Sequence, residues 1–557
     1  MKKYIAGLNI GNHDSSAALL KNGELVSFIE QERISRNKMA FGEAPIEALQ
    51  KCLDQEHISL EDVACIGVGM DWHYRNRIYQ LTDDELRKYK MFERVEWFLP
   101  KSVFGEKIPH VYEIKHHLAH ASSAYRMSGF SDAAVLVVDN RGEDSSTSLG
   151  FAQDGKIHFF KRINIHNSLG IFYNRACQYA GLYGKYREVG KLMGLASYGK
   201  ANIHMPLTVS RDGCFFKELD DIENESIFEA VQMRSRQLLE YFKERCFPYE
   251  MGNNDEIMSY ANFAASAQHS LEVVLLDLVD ELYHVTKSTN LVIAGGVALN
   301  CSANGAIERS KKFKNIFIPP FASDAGVAIG AALECDYLFN GLSSRKTPLT
   351  NCSLGIEYNL DSILQCLSSY QNQISWVVRD EDLYDIVAEY LSNGSVVGWM
   401  QGRFEAGPRA LGNRSILADP RIRKSLIRLN NIKKREMWRP IAPSVLKERY
   451  VDFFEGSPEN KYFMNVATTV KKEKQHLIPA VVHVDGSSRP QVVDQTNLEY
   501  YNLIKAFENK TGIPILCNTS FNLQGVPLVN TPQDAVEAFI ARDIDVLVMG
   551  KVIVKKV

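Results

Sequence analysis

Three histidines, His116, His117 and His120, stand within five positions in the segment KHHLAHASSAY. Positions four apart share one face of a helix, so a helix would present His116 and His120 together and turn His117 about 100° away. Two imidazoles at this spacing are a common way for a helix to bind a metal ion. Histidines that only pack against an interface would show the same spacing, so the pair alone leaves both interpretations open.

Two aspartates could complete such a site. Asp139 ends the apolar segment AAVLVVD, where an unpaired carboxylate would be costly. Asp324 lies in a turn that leads into the small-residue segment AGVAIGAAL. Two imidazoles and two carboxylates would form a mixed nitrogen and oxygen site suited to Fe(II), Mn(II) or Zn(II). We then expect His117 to be a structural residue or to lie behind the ligands.

Other turns carry polar residues that could face a ligand. In GNHDSSAAL, His13 could take a proton from an alcohol, although a solvent-facing turn has the same composition. The segment GGVALN offers Gly295, Gly296 and Asn300, and its paired glycines would let the backbone approach a bound cofactor closely. Lys191, in GKLMGLASYG, could meet a phosphate, but a single lysine is more often a surface charge.

The elements around these residues indicate a duplicated α/β fold. Strand-like segments surround an Asn22-Gly23 pair near the N-terminus, which is a strong hairpin signal. The same order of buried strand, polar turn and hairpin returns after residue 133, this time around Asp154-Gly155. Two such copies resemble the actin/Hsp70/sugar-kinase superfamily, in which each half offers a turn that faces phosphate.

The second part of the chain carries a concentrated positive charge. Between Gly402 and Arg449 there are 13 Lys and Arg against 4 Asp and Glu, although the whole chain has a net charge of −3. Arginines set among Gly and Pro predict guanidinium groups that bind a small phosphorylated ligand rather than RNA. Candidates for this site, including residues of the later motifs HVDGSSRPQ and NTSFN, are Arg403, Arg409, Arg414, Lys433, Arg435, Arg439, His483, Arg489, Asn518, Ser520 and Asn522.

Composition excludes several classes of protein. A near-neutral chain of 557 residues gives no general attraction to nucleic acid or membranes, and no apolar run approaches the length that spans a bilayer. Ten cysteines without a C-x-x-C pair argue against a disulfide framework and fit a reducing cytoplasm. The polar stretch NGLSSRKTPLTNCSLG predicts a linker, and we place two domains at residues 1–345 and 346–557.

The motifs together resemble the O-carbamoyltransferase family, which includes nodulation, cephamycin and aminoglycoside antibiotic carbamoyltransferases. The strings HDSSAAL, HHLAHASSAY, VVDNRGE, GKLMGLASYG, GGVALN, SDAGVAIGAAL, GRFEAGPRALGNRSILADPR, KKREMWRPIAPS, HVDGSSRPQ and NTSFN occur in the order of that family. The likeness extends over nearly the whole chain, and ten strings in order make it specific.

The resemblance implies a fold and an activity. We expect an N-terminal Kae1-like domain of the actin/Hsp70/sugar-kinase type and a C-terminal α/β YrdC-like domain. The C-terminal domain would join carbamoyl phosphate to ATP, with Mg²⁺ bound to the ATP, and form carbamoyl-adenylate with release of pyrophosphate. The N-terminal domain would then move the carbamoyl group to the alcohol of a small metabolite, as in natural-product biosynthesis, and release AMP.

The resemblance also implies roles for individual residues. It assigns His116, His120, Asp139 and Asp324 to a divalent metal, which is iron in the family. His13 matches the position of a base for the acceptor alcohol, and Lys38 matches a basic position that could hold the adenylate. We expect no nucleic acid and no membrane as partners, and a homodimer is one possible assembly.

Other functions remain open at this point. A fused enzyme that forms threonylcarbamoyladenosine on tRNA would use the same two folds. A hydrogenase-maturation carbamoylating protein would need the C-x-x-C pairs of a zinc ribbon, which this sequence lacks. An actin-like assembly protein does not explain the arginine-rich second domain, and a sugar kinase would release ADP instead of AMP.

Overall fold

A computed structural model describes residues 4–557 except 12, 80–94, 183–188, 223–225, 247–255, 342–347 and 524. The chain forms two compact units. The first contains Met1–Gln31 and Met39–Leu349, and the second contains Glu32–Lys38 and Thr350–Val557. Residues 342–347 of the predicted linker lie outside the described residues.

The first unit begins with a five-stranded mixed sheet in the order β3-β2-β1-β4-β5. Strands β1 to β3 form an antiparallel meander, while β4 and β5 run parallel to β1. The strands of this sheet are β1 (Tyr4–Asn9), β2 (Ser16–Lys21), β3 (Glu24–Glu30), β4 (Val63–Val68) and β5 (His110–Glu113).

A second sheet repeats this topology, since its order β8-β7-β6-β9-β10 has the same directions at corresponding strands. Asn22-Gly23 and Asp154-Gly155 join the second and third strands of each copy, and all four residues have positive φ. The predicted hairpins and the duplicated α/β fold are therefore confirmed. The strands are β6 (Asp132–Val138), β7 (Ser145–Gln153), β8 (Lys156–Asn164), β9 (Asn290–Ala294) and β10 (Asn315–Phe317).

Helices connect and cover these two sheets. In the described part of the first unit they are α1 (Gln31–Ser35, which continues into the second unit), α2 (Ile46–Gln55), α3 (Trp72–Tyr79), α4 (Val95–Phe98), α5 (Lys101–Phe104), α6 (His116–Tyr125), α7 (Leu169–Tyr179), α8 (Val189–Ala196), α9 (Ile227–Arg245), α10 (Ala261–Thr286), α11 (Cys301–Arg309) and α12 (Val327–Asn340).

Helix α12 packs unusually closely because its contact surface consists of glycines and alanines. A Cβ atom placed on Gly330 would lie 1.7 Å from the carbonyl oxygen of Ala119 in α6. On the sheet side, a Cβ atom on Gly7 of β1 would lie 1.9 Å from the carbonyl oxygen of Ala328. Since a real Cβ cannot occupy such positions, the small residues set the distance between α12, α6 and the sheet.

The second unit contains an eight-stranded mixed sheet in the order β11-β20-β19-β12-β13-β18-β14-β17. Only the pairs β12-β19 and β14-β17 are parallel, and the other neighbours are antiparallel. The strands of this unit are β11 (Ile374–Val378), β12 (Val397–Met400), β13 (Arg414–Ala418), β14 (Ala442–Leu446), the short pair β15 (Thr468–Thr469) and β16 (Ser487–Ser488), β17 (Gln491–Val493), β18 (Ile515–Ser520), β19 (Val546–Met549) and β20 (Val552–Lys556).

The second unit is α/β, as predicted. Its strands GWM, ILCN and VLVM lie at the centre of the sheet and are buried, which agrees with their apolar sequences. In the part of the chain that the structure describes, no helix is long and apolar enough to cross a membrane. The helices are α13 (Leu360–Ser368), α14 (Leu383–Ser392), α15 (Arg423–Ile432), α16 (Tyr450–Phe453), α17 (Leu498–Thr511) and α18 (Pro532–Ile540).

The close packing of α12 predicts a stability effect. Gly330→Ala should lower the free energy of unfolding by about 1 to 3 kcal/mol, because the new methyl group must displace the backbone of α6. Gly190→Ala in α8 is the matched control, since open space surrounds the position and alanine favours a helix. Urea unfolding followed by circular dichroism measures both, and equal stability of the two variants would contradict this account of the packing.

Candidate functional site

His116, His120, Asp139 and Asp324 form a compact cluster in the first unit, which we call the His/Asp centre. One nitrogen or oxygen atom from each side chain lies within 4.8 Å of the others. The Nε2 atoms of the two histidines are 3.2 Å apart. Asp324 Oδ1 lies 3.6 Å from His116 Nε2 and 3.5 Å from His120 Nε2, and Asp139 Oδ2 lies 3.6 Å from His116 Nε2.

The histidines take their positions from the first turns of α6. Helix α6 begins at His116, so the four-residue spacing places both imidazoles on one face, as predicted. His116 Nδ1 donates to the carbonyl oxygen of Gly69 at 3.1 Å, which directs Nε2 toward the centre. Glu143, which is 5% exposed, accepts from the backbone N–H groups of His116 at 2.8 Å and Asp71 at 3.0 Å. The carboxylate therefore holds the first residue of a helix whose own N-cap, Lys115, makes no side-chain cap.

The two aspartates come from different elements of the first unit. Asp139 follows β6, the first strand of the second sheet, and its Oδ1 accepts from the N–H of Gly296 at 2.9 Å. Asp324 begins the short 3-10 turn before α12, so the close packing of α12 on α6 brings it beside the histidines. Ser16 on β2 donates to the carbonyl oxygen of Ala325 at 2.7 Å and anchors that turn to the sheet.

Opposite charges govern the protonation of the centre. Burial alone would lower the pKa of His116, but hydrogen bonds and charges from Asp139 and Asp324 outweigh burial and raise the pKa well above its ordinary value. Burial alone would raise the pKa of both aspartates, yet the neighbouring histidines hold both pKa values below the ordinary value. The two carboxylates therefore favour a positive charge at this position.

The centre has the donor set of a transition-metal site. Two imidazole nitrogens that point to one position, with two ionised carboxylates around it, suit Fe(II), Mn(II) or Zn(II). The backbone partners of His116 and Asp139 orient the ligand atoms in the way that metal sites require. The residues present thus fit the divalent metal that the sequence predicts.

His13 lies at the margin of this centre. It occupies the turn after β1, which corresponds in the duplicated fold to the turn that carries Asp139. His13 Nδ1 is 3.2 Å from Asp14 Oδ2 and 3.8 Å from Asp324 Oδ2, and about a quarter of its side chain is exposed. Its side chain can therefore reach a molecule bound beside the centre.

His117 points elsewhere, as expected from its position on the helix. Its Nδ1 lies 2.7 Å from the hydroxyl of Ser148, and burial together with the charge of His116 lowers the pKa of His117 to about 3. A histidine that stays neutral beside a charged neighbour is a structural residue of this helix.

The predicted cofactor residues of the first unit divide into two groups. Gly295, with a φ of 92°, and Gly296 lie against the end of β6 and next to Asp139, so the glycine pair adjoins the His/Asp centre. Asn300 caps α11 and exchanges hydrogen bonds with Gln268, both at 3.0 Å. Lys191 is a buried residue of α8, only 8% exposed, and is therefore not a freely solvated charge.

Lys433 is the central residue of a second cluster, which lies in the second unit. Its ammonium group donates to the carbonyl and hydroxyl oxygens of Ser520 at 2.7 and 2.9 Å and to the carbonyl oxygen of Asn522 at 2.8 Å. It also contacts the side-chain oxygen of Asn522. Lys433 of the string KKREMWRPIAPS and Ser520 of the string NTSFN, 87 positions apart in sequence, are thus in direct contact.

Lys433, Arg435, Arg439 and Arg489 form what we call the cationic cluster. Burial and the charges of Arg435 and Arg439 hold the pKa of Lys433 well below its ordinary value, and Lys38 and Arg542 add to this effect. Burial and the charges of Arg439 and Arg489 lower the pKa of Arg435 to about 9. A bound anion would relieve the mutual repulsion among these cations.

Lys38 reaches this cluster because residues 32–38 belong to the second unit. Arg33 donates to the carbonyl oxygen of Gly407 at 2.8 Å. Arg36 donates to the carbonyl oxygens of Pro527 at 3.1 Å and Leu528 at 2.5 Å. These bonds fix the segment beside the motifs of the C-terminal part.

The remaining arginines have other surroundings. Arg414 is fully buried, and its two terminal nitrogens donate to backbone carbonyls, among them Gln401 at 2.8 Å and Gly402 at 3.1 Å. Arg403 donates to the carbonyl oxygens of Leu354 and Gly355. Arg409 is partly exposed on the same turn. Because main-chain groups engage Arg403 and Arg414, the role of these two in phosphate binding stays a prediction.

Asn518 and His483 complete the set of predicted residues. Asn518 is buried on the strand that carries Ser520, and its amide donates to the hydroxyl of Ser444 at 3.0 Å and to Gln491 Oε1 at 3.2 Å. Burial is the main cause that lowers the pKa of His483, which also interacts with the backbone of Trp438 in the KKREMWRP segment.

Two residues of these sites were not predicted from the sequence. Glu143 belongs to the string VVDNRGE, but the string alone does not show that its carboxylate reaches the start of α6, 27 positions away. Arg542 follows α18 by two positions, and no motif distinguishes it from a surface arginine. Only the fold brings its charge near Lys433.

A duplicated α/β unit with a His/Asp centre, followed by an α/β unit with a buried cationic cluster, defines a class of group-transfer enzymes. Two family models match the chain: the carbamoyltransferase N-terminus at residues 74–333 and the carbamoyltransferase C-terminus at residues 388–556. The chain belongs to the carbamoyltransferase family and is a transferase.

Individual proteins are also similar to this chain, and one of them is named as a carbamoyltransferase. The chain is 34% identical over 558 residues to nodulation protein NolNO of Sinorhizobium fredii, covering 98% of this chain and 79% of that protein. It is 34% identical to the protein sll1178 of Synechocystis, covering 99% of this chain and 97% of that protein. A 3'-hydroxymethylcephem-O-carbamoyltransferase of Amycolatopsis lactamdurans is 35% identical over 263 residues, 47% of this chain and 48% of that enzyme.

The contact of Glu143 with α6 predicts an effect on metal affinity. Glu143→Ala should weaken binding of Mn(II) or Zn(II) about tenfold to a hundredfold, because the backbone of His116 loses its acceptor. Glu143→Gln keeps an acceptor oxygen, so its affinity for the metal should fall much less than that of Glu143→Ala. Competition with a chromophoric chelator measures both variants, and an unchanged affinity in Glu143→Ala would show that the carboxylate does not position the centre.

Proposed function

We propose that this protein is an ATP-dependent O-carbamoyltransferase that works through carbamoyl-adenylate and delivers the carbamoyl group to a hydroxyl of a small metabolite. The observation that carries the proposal is that each unit of a carbamoyltransferase-family chain builds its own complete cluster. One cluster suits phosphorylated anions, and the other suits a metal beside a histidine base.

The second unit is proposed to form the adenylate. Its cationic cluster would hold the phosphates of ATP and of carbamoyl phosphate, which repel each other in the absence of nearby positive charge. Hydrolysis of carbamoyl phosphate leaves carbamate and inorganic phosphate, and a carbamate oxygen then attacks the α-phosphorus of ATP as pyrophosphate leaves. Ser520 and Asn522 keep the Lys433 ammonium group in place during this step.

The first unit is proposed to transfer the carbamoyl group. His13 would take the proton of the acceptor alcohol, whose oxygen attacks the carbamoyl carbon while AMP departs. Asp14 and Asp324, at 3.2 and 3.8 Å from His13 Nδ1, would stabilise the imidazolium that results. His116, His120, Asp139 and Asp324 would hold the divalent metal, for which we favour Fe(II). When bound, the metal supplies a Lewis acid for the carbonyl or phosphate oxygen.

The proposed partners follow from the same chemistry. The acceptor is a small alcohol, and natural-product biosynthesis is the proposed setting, since the relative from Amycolatopsis lactamdurans is named for carbamoylation of a hydroxymethylcephem. Carbamoyl phosphate should drive conversion of ATP to AMP without tRNA, which separates this proposal from a tRNA-modifying enzyme. Mass spectrometry of reactions with a panel of alcohols would identify the acceptor class.

Replacement of His13 should separate the two steps. His13→Asn should still release pyrophosphate from ATP and carbamoyl phosphate but should transfer the carbamoyl group about a hundredfold to ten-thousandfold more slowly. Pyrophosphate assays and product mass spectrometry measure the two steps independently. His57→Asn is the matched control, because His57 is exposed and its φ of 54° suits asparagine. Transfer at the wild-type rate by His13→Asn would exclude His13 as the base.

The lowered pKa of Lys433 predicts that anion binding depends on pH. A bound anion stabilises the charged ammonium group, so binding takes up a proton once the pH exceeds the pKa of the free protein. Affinity should therefore fall as the pH rises through that value. Calorimetry with inorganic sulfate tests this, since sulfate itself does not change charge between neutral and alkaline pH.

Lys433→Met is the matched variant for this experiment. It should bind sulfate about tenfold to a hundredfold more weakly and lose this part of the pH dependence, while metal binding by the first unit stays unchanged. A variant with the same pH dependence as the wild type would assign the proton uptake to another group.

A further inference from the structure

A small cavity in the second unit lies beside the turn from Glu405 to Arg414, and the function proposed above does not use it. Its volume is about 20 Å³, which is enough for a single occupant the size of a water molecule. Fifteen residues line it, among them the two acids Glu405 and Asp494, and none of the fifteen is a lysine, arginine or histidine. The cavity is thus acidic, in contrast to the cationic cluster of the same unit.

Glu405 is the residue of this cavity that needs a partner. Its side chain is fully buried, and Oε1 accepts from the backbone N–H groups of Leu411 at 2.6 Å, Asn413 at 3.3 Å and Arg414 at 3.2 Å. Within the described part of the chain, no donor lies within hydrogen-bonding distance of its other oxygen, Oε2. An ionised carboxylate with one buried oxygen unsatisfied is costly, so an occupant of the cavity would remove a large penalty.

The rest of the lining is rich in oxygen atoms. Asp494 accepts from the hydroxyl groups of Thr496 at 2.6 Å and Tyr462 at 3.0 Å. Burial would raise the pKa of Asp494, but these hydrogen bonds outweigh burial and keep the pKa below its ordinary value. Ser353 and Asn413 also line the cavity and are linked by a hydrogen bond of 3.0 Å. Carboxylate, hydroxyl and amide oxygens are the ligands that hard cations prefer.

The charged residues around the cavity indicate what charge a bound cation would carry. Burial lowers the pKa of Arg414 to about 10, and the charge of the neighbouring Glu405 opposes this shift. Arg414 therefore offsets one of the two carboxylates. Lys447 lies near Asp494 but forms an ion pair with Glu459 at 3.4 Å. The two lining carboxylates and Arg414 together leave about one negative charge, which one monovalent cation would balance.

We propose that this cavity binds one monovalent cation, K⁺ or Na⁺, with Glu405 Oε2 as its charged ligand. The ion would join four parts of the second unit that meet at the cavity. They are residues 350–353, the turn that carries Arg409, residues 462–463, and residues 491–497 around the end of β17. Its role is to hold that turn rigid, and it takes no part in the proposed chemistry.

Thermal unfolding of the full-length protein tests the proposal. At one fixed ionic strength, the melting temperature should be about 2 to 4 °C higher in KCl or NaCl than in N-methylglucamine chloride, and the gain should saturate. Comparison of KCl with NaCl identifies the preferred ion. Glu405→Gln keeps an oxygen for the three backbone N–H groups but removes the charge, and should lose the cation dependence. Glu473→Gln, which changes an exposed carboxylate of the same unit, should retain it.

A crystallographic measurement on the wild-type protein avoids any dependence on the stability of a variant. Crystals soaked in rubidium chloride should show an anomalous peak within coordination distance of Glu405 Oε2. A water molecule in the cavity without anomalous signal would overturn the proposal, as would equal melting temperatures in all three salts. Cation-dependent stability that survives in Glu405→Gln would place the ion elsewhere and would also overturn it.

Discussion

The contact between Gly330 and the backbone of Ala119 is the constraint on which the His/Asp centre depends. A Cβ atom at Gly330 would lie 1.7 Å from the Ala119 carbonyl oxygen, so α12 and α6 meet with no side chain between them. Asp324 lies directly before α12, and His116 and His120 lie in the first two turns of α6. A larger residue at the contact would move the carboxylate away from the imidazoles, and the charges of the centre would lose their compensation.

The clusters in the two units have opposite charge. In the first, two carboxylates favour a positive charge, and they raise the pKa of His116 against the effect of burial. In the second, buried cations need an anion, and the lowered pKa values of Lys433 and Arg435 express that need. In each cluster, like charges lie close together and repel one another. A ligand of the opposite charge would reduce this repulsion, which favours binding of such a ligand.

Local chemistry explains why some features were predictable. The hairpin turns at Asn22-Gly23 and Asp154-Gly155 require positive φ, which these residue types adopt easily. Each turn can therefore be predicted from its two central residues. The spacing of His116 and His120 needs only a helix to place them together. Glu143 and Arg542 had no such signal, because their partners are distant in sequence and their contacts exist only in the folded chain.

In the arginine-rich segment, too, some features could be predicted from the sequence and others depend on the fold. Its composition predicts a site for anions, and only the structure separates Lys433 and Arg435, which lie among other cations, from Arg414, which binds backbone carbonyls. Residue types and short spacings determined by themselves the duplicated α/β fold, the metal-binding donor set and the family. Tertiary structure decided which charges are buried together, since the pKa of a group and the ligand it needs depend on neighbours that the chain brings from far away.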